Sequence, residues 1–70
     1  MIEVFKTNLL SKEQCNEVKA SLLQLLPKAR IVFDLEDRDK ILKIDATELN
    51  PGLIKQTIRS KGYQIEILDS

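Results

Sequence analysis

Apolar and polar residues alternate with a period of two in four stretches of the chain, and apolar residues recur at helical spacing in two others. The first stretch, Ile2 to Thr7 (IEVFKT), predicts a strand with Ile2 and Val4 on one face and Glu3 and Phe5 on the other. Asn8 to Leu10 make a loop. Cys15, Val18, Leu22 and Leu25 then follow at steps of three, four and three, which is one helical face, and Leu23 and Leu26 widen it. Lys12, Glu17, Lys19 and Gln24 are left for water. Ser11 and Gln14 have the Ser-x-x-Gln form of a capping box, and Glu13 suits the positive helix end. Pro27 cannot continue the helix, so it is predicted over 12–26.

Arg30 to Leu35 (RIVFDL) predicts a second strand, with Ile31, Phe33 and Leu35 alternating against Val32 and Asp34. The charged run Glu36 to Lys40 is short enough for a hairpin tip before a third strand, Ile41 to Asp45, in which Leu42 and Ile44 share a face. Asn50 and Pro51 are an N-cap and a first-turn proline. Ile54 and Ile58, with Leu53 beside them, give the second helix a core stripe. Gly62 ends it, so the span predicted is 51–61. Tyr63 to Leu68 (YQIEIL) alternates as a fourth strand. The order strand, helix, strand, strand, helix, strand predicts an α+β ferredoxin-like sandwich, a βαββαβ chain with both helices on one face of a four-stranded antiparallel sheet. Residues 1–70 are expected to form a single such domain.

Composition narrows the function classes. Eleven basic residues balance eleven acidic ones. That balance gives no electrostatic footprint for nucleic acid and no polybasic segment for anionic lipid. The N-terminus lacks a basic stretch before an apolar run, so no signal peptide is expected, and no apolar run approaches the roughly 20 residues of a membrane span. The chain has no His, which removes the commonest general base and a common metal ligand. A single Cys, Cys15, excludes an internal disulfide and fits a cytoplasmic setting.

Several pieces in order resemble the heavy-metal-associated domain family of small copper chaperones and metal-pump modules. These are the Val18…Leu22 helix spacing, the Leu25-Leu26-Pro27 helix end, the Val32-Phe33-Asp34-Leu35 strand, Asn50-Pro51 opening the second helix, and Lys61-Gly62-Tyr63 before the last strand. The resemblance implies the ferredoxin-like fold over nearly the whole chain. It also implies a metal site of the form Gly-Met-x-Cys-x-x-Cys in the first loop and helix turn. Aligned without gaps, this chain reads Asn8-Leu9-Leu10-Ser11-Lys12-Glu13-Gln14 there. Ser11 and Gln14 stand in both cysteine positions, and Leu9 replaces the Met. Cys15 is one residue late, which turns its side chain about 100° around the helix.

The expectation is therefore a degenerate, non-enzymatic interaction or regulatory domain with no metal ligands and no cofactor. The alternative is a variant carrier of copper or zinc using Cys15 with Met1 or with a second molecule. Cys15 is expected to be a small core residue with Val18 and Leu22, and Ser11 and Gln14 to be helix caps. The acidic cluster Asp34, Glu36, Asp37 and Asp39 lacks the glycine turn and ligand spacing of a calcium loop, so it is expected to be a solvated hairpin tip. Asn50-Pro51-Gly52 is expected to be a plain cap. Enzyme chemistry lacks a His and a Gly-rich phosphate loop. Acylphosphatases share the element order, but Asn8 to Leu10 lack their Arg-bearing loop. RNA recognition on a sheet needs two or three exposed aromatics, and alternation offers only Phe5. Phe5, Val32 and Ile41 are expected on the open side of the sheet as a contact surface for another protein. The chain is expected to be a monomer or weak dimer.

Overall fold

The computed structural model describes residues 1–68; residues 69 and 70, the end of the expected domain span, lie outside the described residues. The elements are β1 (Ile2–Thr7), α1 (Lys12–Leu25), β2 (Arg30–Asp34), β3 (Ile41–Asp45), α2 (Pro51–Arg59) and β4 (Ile65–Ile67). The strands form one antiparallel sheet in the order β2-β3-β1-β4. The predicted sandwich is therefore present, with β1 and β3 central and β2 and β4 at the edges.

The register explains which side chains are buried. Phe33 lies opposite Leu42, Leu42 opposite Phe5, and Phe5 opposite Ile67, so one row crosses all four strands. Ile31 opposite Ile44 makes a second row. Val18, Leu22, Ile54 and Ile58 of the helices join Phe5, Leu9, Leu42, Ile44 and Ile65 in the core. Each such side chain, fully buried, contributes roughly 1.5–3 kcal/mol relative to exposure.

Phe5 corrects an expectation. It is fully buried among the core residues, not on the open face. Alternation then sends Ile2 and Val4 to the open side, where Ile2 is exposed and Val4 half-buried. Two apolar residues on one face of β1 outnumber one on the other, but the single phenyl ring is larger and its cross-strand partner is Leu42. Val32 and Ile41 keep their expected places, alternating with the buried Ile31 and Leu42.

Element ends differ in α1, β2, α2 and β4, the last at both ends. α1 stops at Leu25, one residue short of its predicted end, and Leu25, expected on the buried stripe, is 40% exposed there. β2 stops at Asp34, whose carboxylate turns back to accept the N–H groups of Glu36 and Asp37. α2 stops at Arg59, and the next N–H groups make tighter bonds, Lys61 to the Ile58 carbonyl and Gly62 to that of Arg59. Gly62 then takes φ 92°, a left-handed conformation that costs glycine least. β4 begins at Ile65 because the Gln64 N–H donates to the Asn8 side-chain oxygen at 2.9 Å instead of to a strand carbonyl.

Candidate functional site

The end of the sheet where β1 leads into α1 is the place that the sequence resemblance marks for a metal. Its loop is held from two sides. Thr7 Oγ1 accepts the Leu9 N–H at 3.2 Å and donates to the Lys40 carbonyl at 2.7 Å. The Asn8 N–H donates to the Gln64 carbonyl, and its side chain accepts from Gln64 in return. These bonds point Leu9 into the core, where it is fully buried, and leave Leu10 at 75% exposure. Periodicity places Leu9 only in a loop; its apolar side chain is the one sequence signal of its burial.

Ser11 is the N-cap of α1, and its hydroxyl accepts the Gln14 N–H at 3.2 Å. Gln14 Oε1 reaches back to accept the Leu10 N–H at 2.8 Å. The predicted capping box is present, with its return bond made one residue before the cap. Two exposed donors at the helix start find protein partners in this way.

Cys15 lies one residue further and faces inward, 5% exposed, with Val18 and Leu22. Burial pushes its thiol up from the ordinary value near 9.0. Burial therefore favours the protonated thiol, and forming the thiolate that a metal ligand or nucleophile needs carries an added cost. Its remaining exposed edge borders a groove of about 550 Å³ between α1 and β2, lined by Lys12, Lys19, Ile31, Phe33 and Leu35 among others.

Met1 lies at the other end of β1. Its ammonium donates to the Ala46 carbonyl at 2.7 Å, and the Ala46 N–H donates to the Met1 carbonyl. Its side chain is exposed. A six-residue strand separates it from the Cys15 end, roughly 20 Å at strand rise. The structure does not bring Met1 and Cys15 together within one chain.

As a donor set this end does not match what copper(I) takes. Copper(I) selects thiolate and thioether. The two positions where the sequence resemblance implies cysteines hold a hydroxyl and an amide, each already hydrogen-bonded at the helix start, and the neighbouring thiol is buried. Among the described residues no three His, Cys, Asp or Glu side chains are grouped to hold a metal ion. The acidic tip is occupied by its own turn bonds. Besides the Asp34 bonds, Asp37 Oδ1 accepts the Asp39 N–H at 2.8 Å, and Lys40 donates to the Leu35 carbonyl at 2.9 Å while adopting φ 48°. Asn50 is the plain cap expected, its side chain accepting the Leu53 N–H at 3.2 Å.

The last contact at this end joins Tyr63 to α1, its hydroxyl donating to Glu17 Oε1 at 3.1 Å. Burial, and then this bond and the Glu17 charge, raise the phenol above its ordinary value of 10.0. Sequence spacing carries no sign of this contact, since 46 residues separate the partners.

No protein-family model matches the chain, and no curated protein matches it. Solved structures do. The chain is similar to the copper chaperone Atx1 from Synechocystis PCC6803 in its Cu2 form, with TM-score 0.76 and 17% identity over 90% of this chain and 97% of that one. It is similar to an anaerobic, side-to-side form of Atx1, with TM-score 0.70 and 22% identity over 90% and 97% of the two chains. It is also similar to the yeast copper transporter domain Ccc2a, solved in solution in apo and Cu(I) loaded states, with TM-score 0.75 and 17% identity over 97% and 94%. The ferredoxin-like fold expected from the sequence, which these copper-trafficking structures share, is thus the fold of this chain. In the described residues no helix is long and apolar enough to cross a membrane.

Proposed function

We propose that residues 1–70 are one non-enzymatic domain, an interaction or regulatory module of the cytoplasm that keeps the copper-chaperone fold and does not transfer metal. One observation carries this reading: Ser11 and Gln14 cap α1 through each other and through Leu10. Their polar groups stabilise the helix start that, in the resemblance, a metal site would occupy. No cofactor is then required.

The open sheet face supplies the contact surface of such a module. Ile2 and Val32 are exposed there, with Val4 and Ile41 half-buried. Lys6, Arg30, Lys43, Asp34, Asp45 and Glu66 are interspersed, both signs together, and no aromatic residue is on this face among the described strand residues. The mixture suits another protein and not RNA.

The test is stoichiometric binding of copper(I) and of zinc by the purified protein under reducing conditions. The expected result is no bound equivalent. One tight equivalent that is lost in Cys15→Ser would favour the carrier reading, with Cys15 taking its second ligand from a second molecule or, after rearrangement, from Met1.

A further inference from the structure

The two edges of the sheet are protected very differently. The β1–β3 ladder exchanges both backbone bonds at Met1–Ala46. Alternation from that pair assigns Asp45, Lys43 and Ile41 to bonding with Arg30, Val32 and Asp34 of β2. The N–H and C=O groups of Ile31 and Phe33 therefore point outward along the free edge. On the opposite edge the same alternation leaves Ile65 outward, and there Arg59 donates to the Ile65 carbonyl at 2.9 Å while pairing with Glu66 at 2.8 Å. That is a built cover on a three-residue strand. The longer β2 edge has no such cover among the described residues. It opens on the groove between α1 and β2.

The side chains of β2 read Arg30-Ile31-Val32-Phe33-Asp34. Turned antiparallel upon itself about Val32, this segment is complementary. Arg30 meets Asp34 of the other copy twice, Val32 meets Val32, and Ile31 meets Phe33. Arg30, Val32 and Asp34 lie together on the open face, and opposite charges directly across an antiparallel pair attract. The same register joins the outward groups of Ile31 and Phe33 as hydrogen-bonded pairs. Charge, apolar match and backbone alternation thus agree on one register. Arg30 is exposed and belongs to no ion pair among the described residues, and Val32 is half exposed.

We infer that a second copy of this chain occupies the β2 edge, forming a two-fold dimer with one continuous eight-stranded sheet. An interface in which the same strand meets itself is the isologous contact of a C2 dimer. This holds whether or not the domain transfers metal, because no group at the α1 start takes part in the strand pairing.

Sedimentation equilibrium of the full chain from micromolar to millimolar concentration tests it. The expected result is a rise from 8.0 kDa toward twice that mass. R30D places like charges across the pair and should abolish the rise, and D34R should do the same. An equimolar mixture of the two should recover it as a heterodimer, since the carboxylates of one variant face the guanidinium groups of the other. R30D also sets a like charge opposite Asp45 of β3 in its own chain, so circular dichroism is used to show that it folds; the mixture rescues both variants, D34R despite the loss of its turn bonds. Amide shifts that change on dilution should centre on residues 30–34. A chain that stays at 8.0 kDa throughout would overturn the inference. So would self-association indifferent to R30D, or dilution shifts centred on Ser11 to Cys15 or on β4.

Discussion

Gln14 Oε1 accepts the backbone N–H of Leu10 at 2.8 Å, closing the start of α1 with the side chain that stands at a metal-ligand position of the heavy-metal-associated pattern. Its partner Ser11 completes the closure from the other side. Removing either bond should loosen the same turn. Ser11→Ala is expected to lower stability by about 1 kcal/mol, as capping losses do. Gln14→Ala should cost less, since it frees the exposed Leu10 N–H to bond with water. Urea denaturation of the two variants checks the order.

Cys15 is expected to behave as core. A water-soluble thiol reagent should label it slowly in the native protein and quickly after denaturation. Cys15→Ala should cost on the order of 1 kcal/mol, because it deletes one small buried group. Cys15→Asp should cost several times more, since it buries an unpaired carboxylate.

The raised thiol also sets a pH dependence. The folded thiol ionises at a higher pH than the unfolded one, so the fold favours the protonated form. Its contribution is complete below the unfolded value near 9.0 and is lost as pH rises through the folded value. Tyr63 acts in the same direction at still higher pH. Thermal unfolding should therefore occur more readily above about pH 9, and Cys15→Ala should flatten the first part of that decline in stability. An unchanged alkaline profile in the variant would remove Cys15 as its source.

Tyr63 gives a separate spectroscopic test. Ultraviolet titration should place its ionisation above the ordinary phenol value, and Glu17→Gln should bring it down by removing the facing charge. Tyr63→Phe should change stability little, because the bond is exposed and water can replace it.

Much of the architecture was legible because local signals agree with one another. Ser11, Asn50, Pro51 and Gly62 mark helix ends through backbone chemistry that acts within a few residues. The stripe Cys15, Val18, Leu22 and the pair Ile54, Ile58 name the buried faces directly. Phe5 and Leu9 were not legible in this way. The face of β1 depends on pairing with Leu42, which is 37 positions away in sequence, and the burial of Leu9 depends on bonds from Thr7 and Asn8 to Lys40 and Gln64, just before β3 and β4. The short β4 has the same origin, since it is set by Asn8 reaching Gln64. At the site, Ser11 and Gln14 at the positions where the resemblance implies cysteines were visible in the sequence, and so was the inward face of Cys15. The contact of Tyr63 with Glu17 was not, because no periodicity links two residues brought together only by the finished fold.

The buried places of Phe5 and Leu9 carry a stability prediction. A chain this short buries only about 60% of its unfolded surface, so its margin is small. Phe5→Ala is expected to cost about 3–5 kcal/mol and Leu9→Ala about 2–5 kcal/mol. Ile2→Ala and Val32→Ala, on the open face, should cost much less. Denaturation midpoints in that order support the register of β1; a tolerant Phe5 with a sensitive Ile2 would reverse it.

Competition with a strong copper(I) chelator tests the central claim most directly, run on the natural chain, on Cys15→Ser and on the double variant S11C/Q14C. The natural chain and Cys15→Ser should leave the chelator loaded. The double variant, with two thiols three residues apart at the start of α1, should withdraw one equivalent of copper. Tight one-to-one binding by the natural chain, abolished by Cys15→Ser, would contradict the account and make this domain a carrier.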